Sequence, residues 1–194
     1  MFVSTFIHMN KTTLKSIYYT IMKRSILLWC FGGFTFSAVL GTALHFVYSF
    51  TNLTVFAPIS AVNESTWEHM KILFFPMLIF AVFEWFFFKD YHGFWWVKLI
   101  GTASSVLSIA ILFYTIGGAF GKTPDFINIL IFFVSAGLGY LIEGLLLKSN
   151  FNLPLNFIPI IILIIITILF IIFTYFPPKI PLFLDPLTKT YGLI

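Results

Sequence analysis

The chain has 194 residues, 60% of them hydrophobic and only 9% charged, with a net charge of +4. A soluble domain carries about 25% charged residues, so a folded chain this poor in charge cannot cover its own surface, and lipid must replace the missing polar groups. The small basic excess is scattered, which argues against nucleic acid as the main partner, and the single cysteine, Cys30, excludes an internal disulfide or a cysteine metal cluster.

Residues 1–24 form a basic arm without an acid, carrying Lys11, Lys15, Lys23 and Arg24. The arm reads as part of an uncleaved signal anchor. The apolar stretch behind it is too long for a signal h-region, and no small-residue cleavage site follows it cleanly. Phe2, Phe6, Tyr18 and Tyr19 also suit an interfacial helix on the membrane surface.

A bilayer-crossing helix takes roughly 20 mostly apolar residues. Five segments qualify: 25–50, 70–88, 94–118, 126–147 and 157–175. They are continuous and lack period-2 alternation, so they are helices rather than barrel strands. Asn, Gly and Pro in the connections 89–93, 121–125 and 149–154 supply turns and stops. Residues 25–176 are therefore expected to form an all-α membrane domain, a bundle of about five transmembrane helices. The proline-rich segment 177–194 is too broken for a helix and too apolar for a solvated tail, and is expected to fold over the outer face as a lid.

Lys11, Lys15, Lys23, Arg24, Lys89 and Lys148 fall on one side of this topology, and Lys71, Lys122, Lys179 and Lys189 on the other. The excess of basic residues favours a cytoplasmic N-terminus and, after five spans, an external C-terminus. Within the spans, Gly101 with Ser105 and Ser108, and Ser135 with Gly139, are spaced to let helices approach closely. Pro76 should kink the second span and free a carbonyl one turn earlier. Trp85, Tyr91, Trp95 and Trp96 read as an interfacial belt.

Three charges fall inside spans: Glu84, Lys98 and Glu143, each about one turn from the cytoplasmic edge of its helix. Charges at this shallow depth usually snorkel or pair, and snorkelling with a Glu–Lys pair is the preferred reading. An ion or proton relay on the inner side is the alternative.

The stretch from Ala61 to Lys71, AVNESTWEHMK, holds two of the chain's seven acids and one of its four histidines. Ser65-x-x-Glu68 has the form of a capping box, and Asn63 is an alternative cap. Capping accounts for Glu64 and Glu68 but not for His69, nor for His45 near the outer end of the first span. If the tail folds back, His45, Asn63, Glu64, Glu68, His69 and Asp185 converge as binding candidates. Of these, His45, Glu64, Glu68 and His69 are the possible ligands for zinc or another divalent cation, or acid and base groups near neutral pH. A purely structural cluster is the competing reading, since no His-Glu-x-x-His motif is present.

His45-Phe46 with Tyr48, the block AVNESTWEHMKILFFPM from Ala61 to Met77, and the tail FPPKIPLFLDPLTKTYG carry a resemblance. From about Ser25 to the C-terminus the chain resembles an uncharacterised family of small bacterial integral membrane proteins, a domain of unknown function. The Asn-Glu-x-x-Trp-Glu-His block is the most specific part. The family's pattern has glycine where this chain has Lys189, so the turn there does not carry over. The resemblance implies a bacterial plasma-membrane location and no particular chemistry.

Three functions compete. Small-molecule or ion binding or transport through an outward-facing polar pocket is preferred, with a homodimer as a way to restore symmetry to five spans. A metal-dependent intramembrane or interfacial enzyme acting on lipid or envelope substrates would use His45 and His69 as ligands or base, Glu64 or Glu68 as ligand or acid, and Asp185 as an orienting group. A non-catalytic subunit that docks on a membrane partner within the bilayer is the third.

Overall fold

The computed structural model describes residues 11–121 and 124–193, with side chains from Ser25 onward. Phe2, Phe6, Lys122 and the side chains of the basic arm lie outside the described residues. Five helices run in order: α1 (Lys11–Thr51), α2 (Thr66–Phe88), α3 (Phe94–Phe120), α4 (Asp125–Lys148) and α5 (Phe157–Tyr175), followed by a 3-10 turn, Pro181–Phe183. No strand occurs among the described residues. Each of the five helices contains a stretch long and apolar enough to cross a membrane, which in α1 is Ser25–Thr51.

Helix ends follow from local chemistry. α2 starts at Thr66 rather than Met70 because Ser65 is extended (φ −69°, ψ 154°) and its hydroxyl accepts the Glu68 amide at 3.4 Å. That cap adds a polar first turn which hydropathy alone discounts. α1 ends where Asn52 turns left-handed (φ 52°) and donates its amide to the Tyr48 carbonyl at 2.8 Å.

α1 to α4 form a ring in which each helix packs on the next and α4 closes on α1, while α5 lies against α3 and α2. Small residues set these approaches. Ser105 Oγ donates to the Ser135 carbonyl at 2.6 Å across α3 and α4. A Cβ on Gly139 would lie 2.7 Å from Ser105 Oγ and 2.9 Å from the Gly101 carbonyl, so glycine is needed for this contact. Pro76 has no N–H for the Ile72 carbonyl. α1 reaches that freed carbonyl at Gly41, where a Cβ would come within 2.8 Å of it. α5 leaves Ile161, Ile164, Ile165, Ile168 and Ile172 exposed, the surface of a helix that is apolar all round and meets lipid.

The tail after α5 folds on itself and back onto the bundle. Asp185 donates its amide to the Thr190 carbonyl at 3.0 Å, and Leu193 donates to the Thr174 carbonyl at 3.1 Å. Phe183 is buried against Trp67, with ring centroids 4.7 Å apart, and Trp67 packs at a tilt on Phe170 of α5 at 4.4 Å. Lys189 sits at φ 61°, in the left-handed region that favours glycine.

Candidate functional site

The bundle has a polar centre at each end. The first lies where α1 ends and α2 begins. The loop between them docks on α1 through the Ala61 amide, which donates to the Leu44 carbonyl at 3.2 Å, directly beside His45. Glu64 stands on this loop, before the helix. The i+5 spacing to His69, unfavourable on a helix face, therefore does not apply. His45 Nε2 lies 3.6 Å from Glu64 Oε1, and His69 Nε2 lies 3.6 Å from Glu64 Oε2. The two imidazole centroids are 5.3 Å apart, and one ligand atom from each of the three residues fits within 4.8 Å of the others.

Hydrogen bonds fix the ring of His69. Its Nδ1 lies 2.9 Å from the Ser65 carbonyl. A carbonyl only accepts, so Nδ1 carries the proton, and in the neutral ring the Nε2 lone pair faces Glu64. A bare lone pair pointed at a carboxylate is unfavourable, and either a proton on one of the two groups or a metal cation between them relieves it. A separation of 3.6 Å is too long for a hydrogen bond. It is close to the spacing of about 3.4 Å between neighbouring tetrahedral ligands with metal bonds of about 2.1 Å.

Asn63 positions this loop. Its Oδ1 accepts the Ser65 amide at 2.9 Å, and its Nδ2 donates to the Gly192 carbonyl at 2.9 Å, tying the loop to the tail. Asn63 thus supports Glu64 from behind and does not face the histidines.

Glu68 and Asp185 do not join the cluster. Only half of the expected capping box forms, because the Ser65 amide is already held by Asn63. The Glu68 carboxylate turns inward instead, accepts the Val62 amide at 3.0 Å and pairs with Lys71 at 2.5 Å. Lys71 is fully buried and gives its other protons to the Ala57 carbonyl and Thr174 Oγ1, both at 2.8 Å. This ammonium clamps the loop and α5 onto α2. The i, i+3 spacing of Glu68 and Lys71 is the signal in the sequence for such a pair. Asp185 is spent on its own Asp-Pro turn, where its carboxylate accepts the Leu187 amide at 2.9 Å and the Thr188 hydroxyl at 2.7 Å.

The second centre lies at the opposite end, where α2 and α4 finish and α3 starts. Lys98 donates to Glu143 at 2.5 Å and also bonds Glu84. All three are buried, at 1–2% exposure, so none snorkels to a boundary. Gly101 makes room for Glu143, since a Cβ there would stand 2.2 Å from Glu143 Cγ. Periodicity assigns Gly101 to helix packing alone and gives no sign of this second role. Nearby, Tyr91 in the α2–α3 connection donates its hydroxyl to the Phe151 carbonyl at 2.8 Å, and burial raises its phenol above the usual range. Trp96 Nε1 donates to the Pro154 carbonyl at 3.1 Å.

No curated protein and no solved structure matches this chain. A family model described as a family of unknown function matches residues 17–193, nearly the whole length. The chain therefore belongs to that family, DUF6512.

Proposed function

We propose that this protein binds a divalent transition-metal ion, with zinc as the reference case, through His45, Glu64 and His69, as part of a binding or transport role at the outer face of a bacterial plasma membrane. The observation that carries the proposal is the aim of two imidazole Nε2 atoms at one carboxylate, with the His69 proton held away on Nδ1. Nitrogen and oxygen donors in this ratio suit zinc. The His69 bond to a backbone carbonyl is the outer support that metal-binding histidines use.

In this reading the N-terminus is cytoplasmic and the cluster external, with the tail as a lid beside it. The distribution of lysine and arginine over the connections supports that orientation. A cysteine placed at the exposed Leu187, with Cys30 replaced by serine, should react with a membrane-impermeant maleimide added to intact cells. Labelling only after lysis would reverse the orientation.

Binding is tested by zinc titration of the purified protein in detergent. One ion per chain is expected for the native sequence, with affinity at least tenfold weaker in His45→Ala, His69→Ala and Glu64→Gln. Equal binding by all four proteins would remove the proposal. A second reading rests on the donor count. Three protein ligands leave a fourth position for water or substrate, the arrangement of catalytic zinc sites, so a metal-dependent hydrolase acting at the membrane surface uses the same residues. Hydrolysis of an envelope lipid by zinc-loaded protein, absent from His69→Ala, would favour it over transport.

A further inference from the structure

The buried charges at the two ends of the bundle do not balance in the same way. Glu68 and Lys71 are one acid and one base. Glu84, Lys98 and Glu143 are two acids and one base, and all three side chains are buried. With both carboxylates ionised the second group carries a net negative charge inside the bundle, where an uncompensated charge is very costly. Two carboxylates sharing one site settle this by sharing a proton.

Among the described residues, the surroundings provide no other compensation. Among those residues, the ionisable group of α1 within electrostatic range is the Cys30 thiol, and that of α4 is Tyr140. Tyr140 is already engaged with Ser37, its hydroxyl 2.8 Å from Ser37 Oγ. Lys148, on the last turn of α4, is within electrostatic range of the Cys30 thiol. α2 contributes Glu84 and α3 contributes Lys98. α5, which packs on α3, has no charged side chain along its length. Lys98 Nζ stands between the two carboxylates, where an alkali-metal ion would otherwise sit. A proton needs no such space.

We propose that Glu84, Lys98 and Glu143 form a proton-binding site in the interior of the bundle, with one exchangeable proton held on the carboxylate pair. A groove of about 240 Å³ between α1 and α4, lined by Cys30, Tyr140, Gly144 and Lys148, opens next to Glu143's neighbour Gly144. A proton held at this end is what a carrier that moves a cation against a proton gradient requires, and the site stands independently of metal binding at the other end.

The test is infrared spectroscopy of the full chain in detergent at neutral pH. Of the seven acids in the chain, the solvated ones are ionised at that pH, Glu68 is neutralised one-to-one by Lys71, and the buried Asp185 carboxylate is held by the Leu187 amide and the Thr188 hydroxyl. A protonated carboxyl C=O band amounting to one group per chain is therefore expected, shifting downward in deuterium oxide. Glu84→Gln and Glu143→Gln should each lose the band, because the remaining carboxylate then matches Lys98 one-to-one, while Glu68→Gln should keep it. The native spectrum stands even if a variant fails to fold. Three results would overturn the proposal: no band in the native protein, a band that persists in both variants, or a band that emerges only when sodium and potassium are removed.

Discussion

Replacing Lys71 by methionine keeps the length of the side chain and removes its charge. The ammonium is fully buried and makes three polar contacts: Glu68 at 2.5 Å, and the Ala57 carbonyl and Thr174 Oγ1 at 2.8 Å. Thr174 retains its own bond to the Phe170 carbonyl at 2.9 Å, but the Ala57 carbonyl loses a partner and Glu68 becomes a buried carboxylate without a counter-charge. Breaking a buried pair from one side costs about 3–5 kcal/mol. For a chain of this length about 2–4 °C is lost per kcal/mol. Lys71→Met should therefore lower the midpoint of thermal unfolding by roughly 6–20 °C, followed by tryptophan fluorescence in detergent. The double variant Glu68→Gln, Lys71→Met removes the stranded charge and should recover more than half of that loss. A single variant within about 1 kcal/mol of the native protein, or a double variant no better than the single, would refute the view that this pair clamps the loop to α2 and α5.

Three further outcomes are expected. Gly139→Val places a side chain where a Cβ already lies 2.7 Å from Ser105 Oγ and 2.9 Å from the Gly101 carbonyl; it should cost about 1–3 kcal/mol in the same unfolding assay. Asn63→Ala severs the Ser65 and Gly192 bonds behind Glu64 and should weaken zinc affinity by roughly 10–100-fold while the helical circular dichroism stays unchanged. Lys189→Gly relieves a left-handed residue at φ 61° and should leave the unfolding midpoint unchanged or slightly higher, as relief of strain offsets the entropy glycine adds to the unfolded chain; a clear loss of stability would show that the lysine side chain holds the turn.

The helices were readable from the sequence because lipid demands long apolar runs, and the stretches ending at Phe88 and Tyr175 end where hydropathy places them. The start of α2 was harder to place, since Ser65 and Glu68 begin the helix with polar residues. His45, Glu64 and His69 were legible as a group once the topology put α1's end beside α2's start. Their separation from Glu68 was not. Whether a carboxylate faces outward or inward depends on where the loop amide of Val62 lies, and a loop of turns has no periodicity to reveal that. Asp185 was drawn into its own turn by the proline after it, a local competition that spatial convergence had to lose. Glu84 and Glu143 sit 59 positions apart in the chain. Their meeting on Lys98 depends on α2 and α4 both flanking α3, and on Gly101 leaving room; periodicity shows each helix face but not which neighbour it meets.

Metal binding by His45, Glu64 and His69 is best decided by X-ray absorption at the zinc edge on protein loaded with one equivalent of zinc. The expected spectrum has two imidazole nitrogens and at least one carboxylate oxygen at about 2.0–2.2 Å, and the imidazole scattering should fall by half in His45→Ala. A shell of oxygens without imidazole, or a spectrum that the histidine substitution leaves unchanged, would contradict it.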